Sequence, residues 1–235
     1  LAVQDGAIRR GVAADTAGQV ARGALSESDR DVAIDSAGLS GEQRRAVEHV
    51  TGGEQIAVVV GLAGAGKSTM LAAARDAWER QGYSVHGAVL SGKAAEGLEE
   101  ASGMSSRTLA SWEHGWKAGR GELGPKDVMV IDEAGMVGSR QLARFVAEAE
   151  RTGAKLVMVG DQEQLQAIGA GAPFRAIAER VGFAELQDIR RQREDWQREA
   201  SGDFARHRTG EGLAAYADRG GVRFSETRDA ARAAI

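Results

Sequence analysis

The sequence predicts an α/β fold in which a central, mainly parallel sheet is flanked by helices. From residue 40 onward, short apolar runs alternate with longer segments of helical spacing. The apolar runs are continuous, as is typical of strands buried on both faces of a parallel sheet. One run leads through a glycine-rich turn into a helix, and another ends in an acidic pair. Strands and helices that alternate in this way predict parallel strands joined by crossover helices.

The first half of this region begins with a helix at 43–50 and a strand at 55–60, a β-branched run (QIAVVV) that a glycine ends. Apolar residues three and four positions apart predict a helix over 67–80, and a second strand follows at 84–90. Two further segments of helical spacing lie at 92–101 and 108–117.

The second half contains the third strand at 127–131 (DVMVI) and the fourth at 155–159 (KLVMV), both of them apolar runs. Between them, apolar residues gather on one side of a helix at 140–151. A helix at 173–181 and a fifth strand at 184–189 complete the alternation. Beyond residue 190 the pattern is helical and highly charged, with a late strand candidate at 222–224.

These changes of pattern divide the chain into three parts. Residues 1–38 are expected to be a helical or linker segment, with short helical patterns at 8–25 and 28–34. Residues 39–189 form the predicted α/β domain, and residues 190–235 are expected to begin a second, incomplete domain. The chain starts without methionine and stops within a helical pattern. We therefore expect it to be a piece of a longer protein.

Composition excludes several classes of protein. The 235 residues include no cysteine, which excludes disulfides and thiolate metal sites. The first residues lack the basic and apolar regions of a signal peptide, and no apolar run is long enough to span a membrane. A cytoplasmic location is therefore expected. The net charge of −4 offers no general attraction for nucleic acid, although a local basic patch can still bind phosphates.

Residues 61–68 (GLAGAGKS) match the phosphate-binding pattern G-x-x-x-x-G-K-[ST] between a predicted strand and a predicted helix. Glycines allow backbone N–H groups to curl around phosphates, and the helix N-terminus adds positive potential. Lys67 is expected to reach the β- and γ-phosphates, and Ser68 to offer its hydroxyl to Mg²⁺. The predicted nucleotide contacts in this segment are Gly64, Ala65, Gly66, Lys67, Ser68 and Thr69.

An acidic pair follows the third predicted strand. Asp132 and Glu133 come directly after VMVI, which places them at the carboxyl edge of the sheet, where α/β proteins bind ligands. Asp132 is expected to complete the Mg²⁺ shell, and Glu133 to orient and deprotonate an attacking water. This pair favours hydrolysis over phosphate transfer to a hydroxyl substrate. Gln164, in the polar segment GDQEQL after the fourth strand, is expected to sense the γ-phosphate.

Two interpretations of Gln43 remain open. Ser40 and Gln43 fit the capping box S-x-x-Q at the start of the first predicted helix. Alternatively, the Gln43 amide reads an adenine, whose N6 and N7 suit a bidentate amide. The two roles can share Ser40 as the cap.

These motifs, in this order, resemble the first RecA-like domain of superfamily 1 DNA helicases, and more closely the RecD-like helicase half of TraA-type conjugative relaxases. The resemblance covers roughly residues 39–205 and rests also on SGKAA at 91–95 and IRRQ at 189–192. It implies contacts with the DNA backbone for Ser91, Gly92, Lys93 and Thr108. It also implies that Arg191 contacts the γ-phosphate, with Arg190 as the ambiguous neighbour.

This chain departs from the family pattern in a few places. Gln162 stands where proline is usual and Ser91 where threonine is usual. The later helicase motifs and the clustered histidines of a relaxase are absent from the sequence, so strand cleavage is not expected.

The resemblance implies an ATP-dependent, Mg²⁺-dependent DNA motor of bacterial plasmid transfer, with single-stranded DNA and the rest of its own longer chain as partners. It also implies 5′-to-3′ translocation, with weak hydrolysis by this piece alone. Two alternatives are a small-molecule or nucleotide kinase and a non-enzymatic nucleotide switch. A guanine-reading Asn-Lys-x-Asp segment, which a GTPase-like switch needs, is missing from the sequence.

Overall fold

The structure, a computed structural model, describes residues 25, 27–161, 173–187, 194–205 and 208–222. The chain divides into two compact units, Leu1–Gln187 and Asp188–Ile235. The first unit contains the sheet and its flanking helices. The described residues of the second form two short helices.

The helices and strands of the first unit alternate along the chain. Its helices are α1 (Glu27–Ser36), α2 (Gly41–Val50), α3 (Lys67–Arg80), α4 (Gly92–Ser102), α5 (Leu109–Lys117), α6 (Ser139–Thr152) and α7 (Pro173–Val181). Its strands are β1 (Ile56–Gly61), β2 (Ser84–Val89), β3 (Ser105–Thr108), β4 (Asp127–Ile131), β5 (Lys155–Gly160) and β6 (Ala184–Leu186).

The six strands form one parallel sheet in the order β3-β2-β4-β5-β1-β6. This confirms the predicted α/β class. Because β4, β5 and β1 are neighbours, their carboxyl ends lie side by side at one edge. The glycine-rich loop follows β1 and the acidic pair follows β4. The sheet order therefore brings the two motifs to the same edge.

Hydrophobic residues of the strands point to both faces of the sheet. Along β1, Ile56 and Val58 join a core with α5, α6 and α7, whereas Ala57 and Val59 join a core with α2, α3 and α4. All six residues of β1 are buried, which explains why this strand has a continuous apolar sequence.

The sequence prediction missed β3 and placed several element ends one to three residues away from where they lie. β3 (SSRT) is a polar edge strand in which exposed and half-buried residues alternate. Its last residue, Thr108, is also the N-cap of α5, so that helix begins one residue later than predicted. The last strand ends at Leu186 rather than at residue 189. An edge strand has one neighbouring strand and is more exposed than a central strand, so it needs fewer apolar residues.

Two tryptophans of α5 pack against the rest of the first unit. Trp112 is buried, and its indole N–H donates to the Gly87 carbonyl oxygen at 3.0 Å. Trp116 packs against Phe145, with ring centroids 4.8 Å apart. Both rings belong to the protein interior and its border, where they hold α5 against α6 and the sheet.

The second unit contains α8 (Asp195–Ala205) and α9 (Thr209–Ala217). Aromatic side chains join the two helices: the Trp196 and Tyr216 rings meet edge-on with centroids 5.0 Å apart. The Arg219 guanidinium lies over the Trp196 ring at 4.5 Å. The strand candidate at 222–224 falls largely outside the described residues, and Val222 is not in a strand. No helix within the described ranges is long and apolar enough to cross a membrane.

His49 on α2 should make the stability of the protein depend on pH. Burial, and then the positive charge of Lys155, lower the pKa of His49 below its ordinary value. The folded state therefore binds this proton less well than the unfolded state. This contribution to stability is complete above about pH 6.5 and is lost as the pH falls towards the lowered value. Thermal melts of His49→Gln should show a weaker loss below pH 6.5 than wild type. The same change at exposed His114 should leave the wild-type profile, and an unchanged profile for His49→Gln would contradict this account.

Candidate active site

The loop that joins β1 to α3 owes its shape to two left-handed glycines. Gly64 and Gly66 have φ values of 82° and 80°, a conformation that residues with a Cβ rarely adopt. The Ala65 N–H donates to the Leu62 carbonyl oxygen at 3.2 Å, which closes the turn. The loop leads directly into Lys67, the first residue of α3. This is the strand–loop–helix arrangement that the glycine pattern predicts.

The Lys67 side chain folds back over this loop. Its Nζ donates to the carbonyl oxygens of Gly61 and Leu62, at 2.8 and 3.1 Å. Burial lowers the pKa of Lys67, whereas the negative charges of Asp132, Asp161 and Glu133 act in the opposite direction. Three acidic side chains therefore lie close enough to Lys67 to affect its proton.

The acidic pair occupies the carboxyl end of β4. Burial is the main cause that raises the pKa of Asp132, while the Glu133 N–H, which donates to Asp132 Oδ1 at 2.8 Å, acts to lower it. Glu133 is exposed and has a φ of 55°, which among the described residues makes it the only non-glycine with a positive φ. Left-handed backbone at such a residue is strained and is enriched at functional sites.

Asp161 is a site residue that sequence reasoning missed. It follows β5 as Asp132 follows β4, and it is only 8% exposed. Because β5 lies between β4 and β1, Asp161 adds a third carboxylate near Lys67, after those of Asp132 and Glu133. The sequence could have indicated Asp161 as a site residue, because Asp161, like Asp132, comes directly after a buried apolar strand.

Two glycines let the ends of β4 and β5 approach closely. A methyl group placed on Gly135 would lie 2.7 Å from the Asp161 carbonyl oxygen. One placed on Gly160 would lie 2.9 Å from the Gly135 nitrogen and 3.1 Å from the Phe174 ring. The segment after the acidic pair is therefore packed directly on the backbone beside Asp161.

A pair of glycine-to-alanine changes tests this packing. Gly160→Ala should lower stability by about 1–3 kcal/mol, because backbone and a buried ring block the added methyl. Gly97→Ala should instead raise stability by roughly 0.5–1 kcal/mol, since Gly97 lies inside α4 and nothing lies within 4 Å of the new methyl. Urea unfolding of both variants measures the two changes. Equal effects of the two substitutions would contradict the close approach.

Gln43 combines the predicted capping role with a contact to the loop. The Ser40 N–H donates to Gln43 Oε1 at 3.0 Å and the Gln43 N–H donates to Ser40 Oγ at 3.2 Å, so the capping box is confirmed. In addition, Gln43 Nε2 donates to the Gly66 carbonyl oxygen at 3.1 Å. Local sequence patterns do not indicate this second contact, because the two residues are 23 positions apart. The adenine role of Gln43 stays a prediction.

The side chains at this edge fit a Mg²⁺ ion held together with phosphates. Ser68 and Thr69 lie in the first turn of α3, and Asp132 contributes a half-buried carboxylate at the end of a nearby strand. Mg²⁺ in proteins is usually bound through one or two carboxylates or hydroxyls, several waters and the phosphates of a nucleotide. A hydroxyl and a carboxylate at the same sheet edge match that donor set.

The residues predicted to contact DNA lie at two helix N-termini beyond β2 and β3. Ser91 caps α4 by accepting from the Ala94 N–H at 3.2 Å, and Thr108 caps α5 by accepting from the Ser111 N–H at 3.1 Å. Gly92 and Lys93 are exposed in the first turn of α4. Because Val89 and Thr108 are paired in the sheet register, both helix starts lie at the same edge as the glycine-rich loop. Gln164, Arg190 and Arg191 lie outside the described residues.

Comparisons with known proteins agree with this arrangement. A family model described as an AAA domain matches residues 38–227. A probable conjugal transfer protein TraA from Sinorhizobium fredii is 58% identical over 188 residues, which are 80% of this chain and 17% of that protein. An ATP-dependent RecD2 DNA helicase from Deinococcus radiodurans is 33% identical over 159 residues, 66% of this chain and 22% of that protein.

A solved structure shares the fold. The crystal structure of Pif1 helicase from Candida albicans matches with a TM-score of 0.51 and 22% identity, over 71% of this chain and 44% of that one. The chain thus spans about a sixth of the length of the TraA relative and less than half of each of the others. The resemblance to TraA-type and RecD-like proteins is confirmed, and this chain belongs to the AAA domain family.

Proposed function

We propose that this chain is the ATP-dependent motor domain of a DNA helicase within a larger bacterial protein of conjugative plasmid transfer. The observation that carries the proposal is the sheet order, which brings the glycine-rich loop with Lys67 to the same edge as Asp132 and Glu133. The relatives named as conjugal transfer protein and DNA helicase support the same function. In this proposal residues 39–189 are the first helicase lobe, 1–38 a peripheral segment and 190–235 the start of the second lobe, and the protein is cytoplasmic.

The proposed reaction is hydrolysis of the γ-phosphate of ATP. Gly64 and Gly66 turn backbone N–H groups towards the phosphates, and the Ala65 N–H gives up its bond to the Leu62 carbonyl oxygen to join them. Lys67 leaves the carbonyl oxygens of the loop to contact the β- and γ-phosphates. Ser68, with Thr69 beside it, and Asp132 hold Mg²⁺, which neutralises charge on the phosphates when bound.

Glu133 orients the attacking water and takes its proton. The water oxygen then bonds to the γ-phosphorus as the bond to the β-phosphate oxygen breaks, and ADP leaves. The Glu133 side chain is exposed at the end of β4, so water can reach it.

The proposed DNA surface consists of Ser91, Gly92, Lys93 and Thr108. The exposed Lys93 and the two helix starts offer a cation and N–H groups to a phosphate backbone. Gln164 and Arg191 are proposed to report the state of the γ-phosphate to this surface, and Gln43 to read the adenine. Translocation along single-stranded DNA is proposed to run 5′ to 3′.

Nucleotide binding and turnover by the 235-residue chain test this function. We expect Mg-ATP to displace a fluorescent ATP analogue better than Mg-GTP does, with slow hydrolysis, because the second helicase lobe is needed to close the site. Phosphate release in the presence and absence of oligonucleotide measures turnover. Vigorous DNA-stimulated hydrolysis by this chain would contradict the need for a second lobe. Transfer of phosphate to a small acceptor would favour a kinase, and preference for GTP would favour a switch.

A further inference from the structure

The Gln43 side chain links the start of α2 to the phosphate-binding loop. Gln43 is 3% exposed, and both ends of its amide are used inside the protein. Its Oε1 accepts from the Ser40 N–H at 3.0 Å, and its Nε2 donates to the Gly66 carbonyl oxygen at 3.1 Å. The first bond fixes the amide to α2, so the second bond acts from a rigid support.

The Gly66 carbonyl is a key group of the loop. It also accepts from the Met70 N–H at 3.1 Å, which is the first hydrogen bond of α3. The same peptide unit carries the Lys67 N–H, one of the free N–H groups at the helix start that can face a phosphate. Fixing the carbonyl side of this peptide therefore fixes the direction of its N–H.

The absence of a side chain at Gly66 lets the Gln43 amide approach this closely. The φ of Gly66 is 80°, and a methyl group added here would overlap the Gln43 amide nitrogen. The glycine is thus needed for close approach as well as for its left-handed backbone.

We infer that Gln43 is a positioning residue for the phosphate-binding loop, and that its amide supports binding of the triphosphate whatever base is attached. The inference rests on the proposed function, since it assumes that this loop binds nucleotide. It differs from adenine reading, which would need the remaining hydrogen of Nε2 and the remaining lone pair of Oε1. Positioning of the loop uses only the two contacts seen in the structure, from the Ser40 N–H to Oε1 and from Nε2 to the Gly66 carbonyl oxygen.

Two substitutions separate these roles. Gln43→Glu keeps the acceptor of the capping box, which takes either residue, but it replaces the donor to Gly66 with an oxygen. Gln43→Ala removes the contact without adding a charge. Ser40→Ala is the matched control, because it removes a capping hydroxyl and leaves the bond to Gly66. Each variant is tested at a temperature below its melting midpoint.

The measurement is displacement of a fluorescent ATP analogue by Mg-ATP, Mg-GTP and Mg-tripolyphosphate. Both Gln43 variants should weaken all three competitors by about ten-fold, as expected for a lost hydrogen bond and a loosened loop. Ser40→Ala should lower the melting midpoint with tripolyphosphate affinity unchanged. A larger loss for ATP than for tripolyphosphate would still support positioning, with an adenine contact in addition.

Unchanged tripolyphosphate affinity in both Gln43 variants would overturn the inference, whether or not ATP binding is weakened. The proposed function has its own control, because Lys67→Met should remove displacement by all three competitors. If wild type binds none of them, the proposed function fails. If wild type binds them and only the Gln43 result differs from expectation, the inference alone fails.

Discussion

Replacing Lys67 by methionine is expected to weaken Mg-ATP binding by roughly 100-fold or more. The ammonium group supplies hydrogen bonds to charged phosphate oxygens, and each such bond contributes about 1.5–3 kcal/mol, so the loss of two corresponds to at least two orders of magnitude. In the structure Lys67 Nζ donates to two backbone carbonyl oxygens of the loop, which it can exchange for phosphate oxygens. Titration of a fluorescent ATP analogue measures the change.

Stability and a matched control separate this effect from misfolding. Burial already disfavours the charged form of Lys67, so methionine should leave the melting temperature within a few degrees of wild type. Lys117→Met makes the same change at an exposed lysine at the end of α5, and ATP affinity should not move. Tight ATP binding by a folded Lys67→Met protein would contradict the assignment of this loop.

Replacing Glu133 by glutamine is expected to slow hydrolysis by roughly 100-fold or more while ATP affinity stays within about three-fold of wild type. A positioned general base contributes about 10²–10⁴-fold, and an amide of the same shape cannot take the proton of water. The Glu133 side chain is exposed, and glutamine has nearly the same shape, so ATP binding should be little changed. Single-turnover hydrolysis with excess protein measures the chemical step even where overall turnover is slow.

The control for Glu133 is Glu150→Gln, the same substitution at an exposed position on α6. It should change neither the rate nor the affinity. A Glu133→Gln protein that hydrolyses ATP at the wild-type rate would show that another group activates the water. Asp161 would then be the first residue to test. It lies near Lys67, and it has no part in the proposed Mg²⁺ site, unlike Asp132.

The central strands and the glycine-rich loop could be predicted because their signals are local. β1, β4 and β5 are buried on both faces, so their sequences are continuous apolar runs. The start of α3 was fixed by the pattern of the loop before it. The positions of the loop and the acidic pair at one edge followed from the rule that parallel strands share their carboxyl ends.

Other features depend on contacts between distant parts of the chain. The polar edge strand β3 is held by its pairing with β2, which its own sequence does not reveal. The bond from Gln43 to Gly66 and the burial of Asp161 arise only when β1, β5 and α2 are packed together. The left-handed backbone of Glu133 likewise follows from packing, since glutamate has no intrinsic preference for it.

The most direct test of a DNA motor is the affinity of this chain for a labelled single-stranded oligonucleotide, with and without a non-hydrolysable ATP analogue. We predict binding that changes when the analogue is added, because the loop after β1 and the helix starts after β2 and β3 lie at one sheet edge. Lys93→Ala should weaken this binding, whereas Lys117→Ala at an exposed site on α5 should not. Oligonucleotide binding that is identical with and without the analogue would contradict coupling between nucleotide and DNA, and with it the proposed motor.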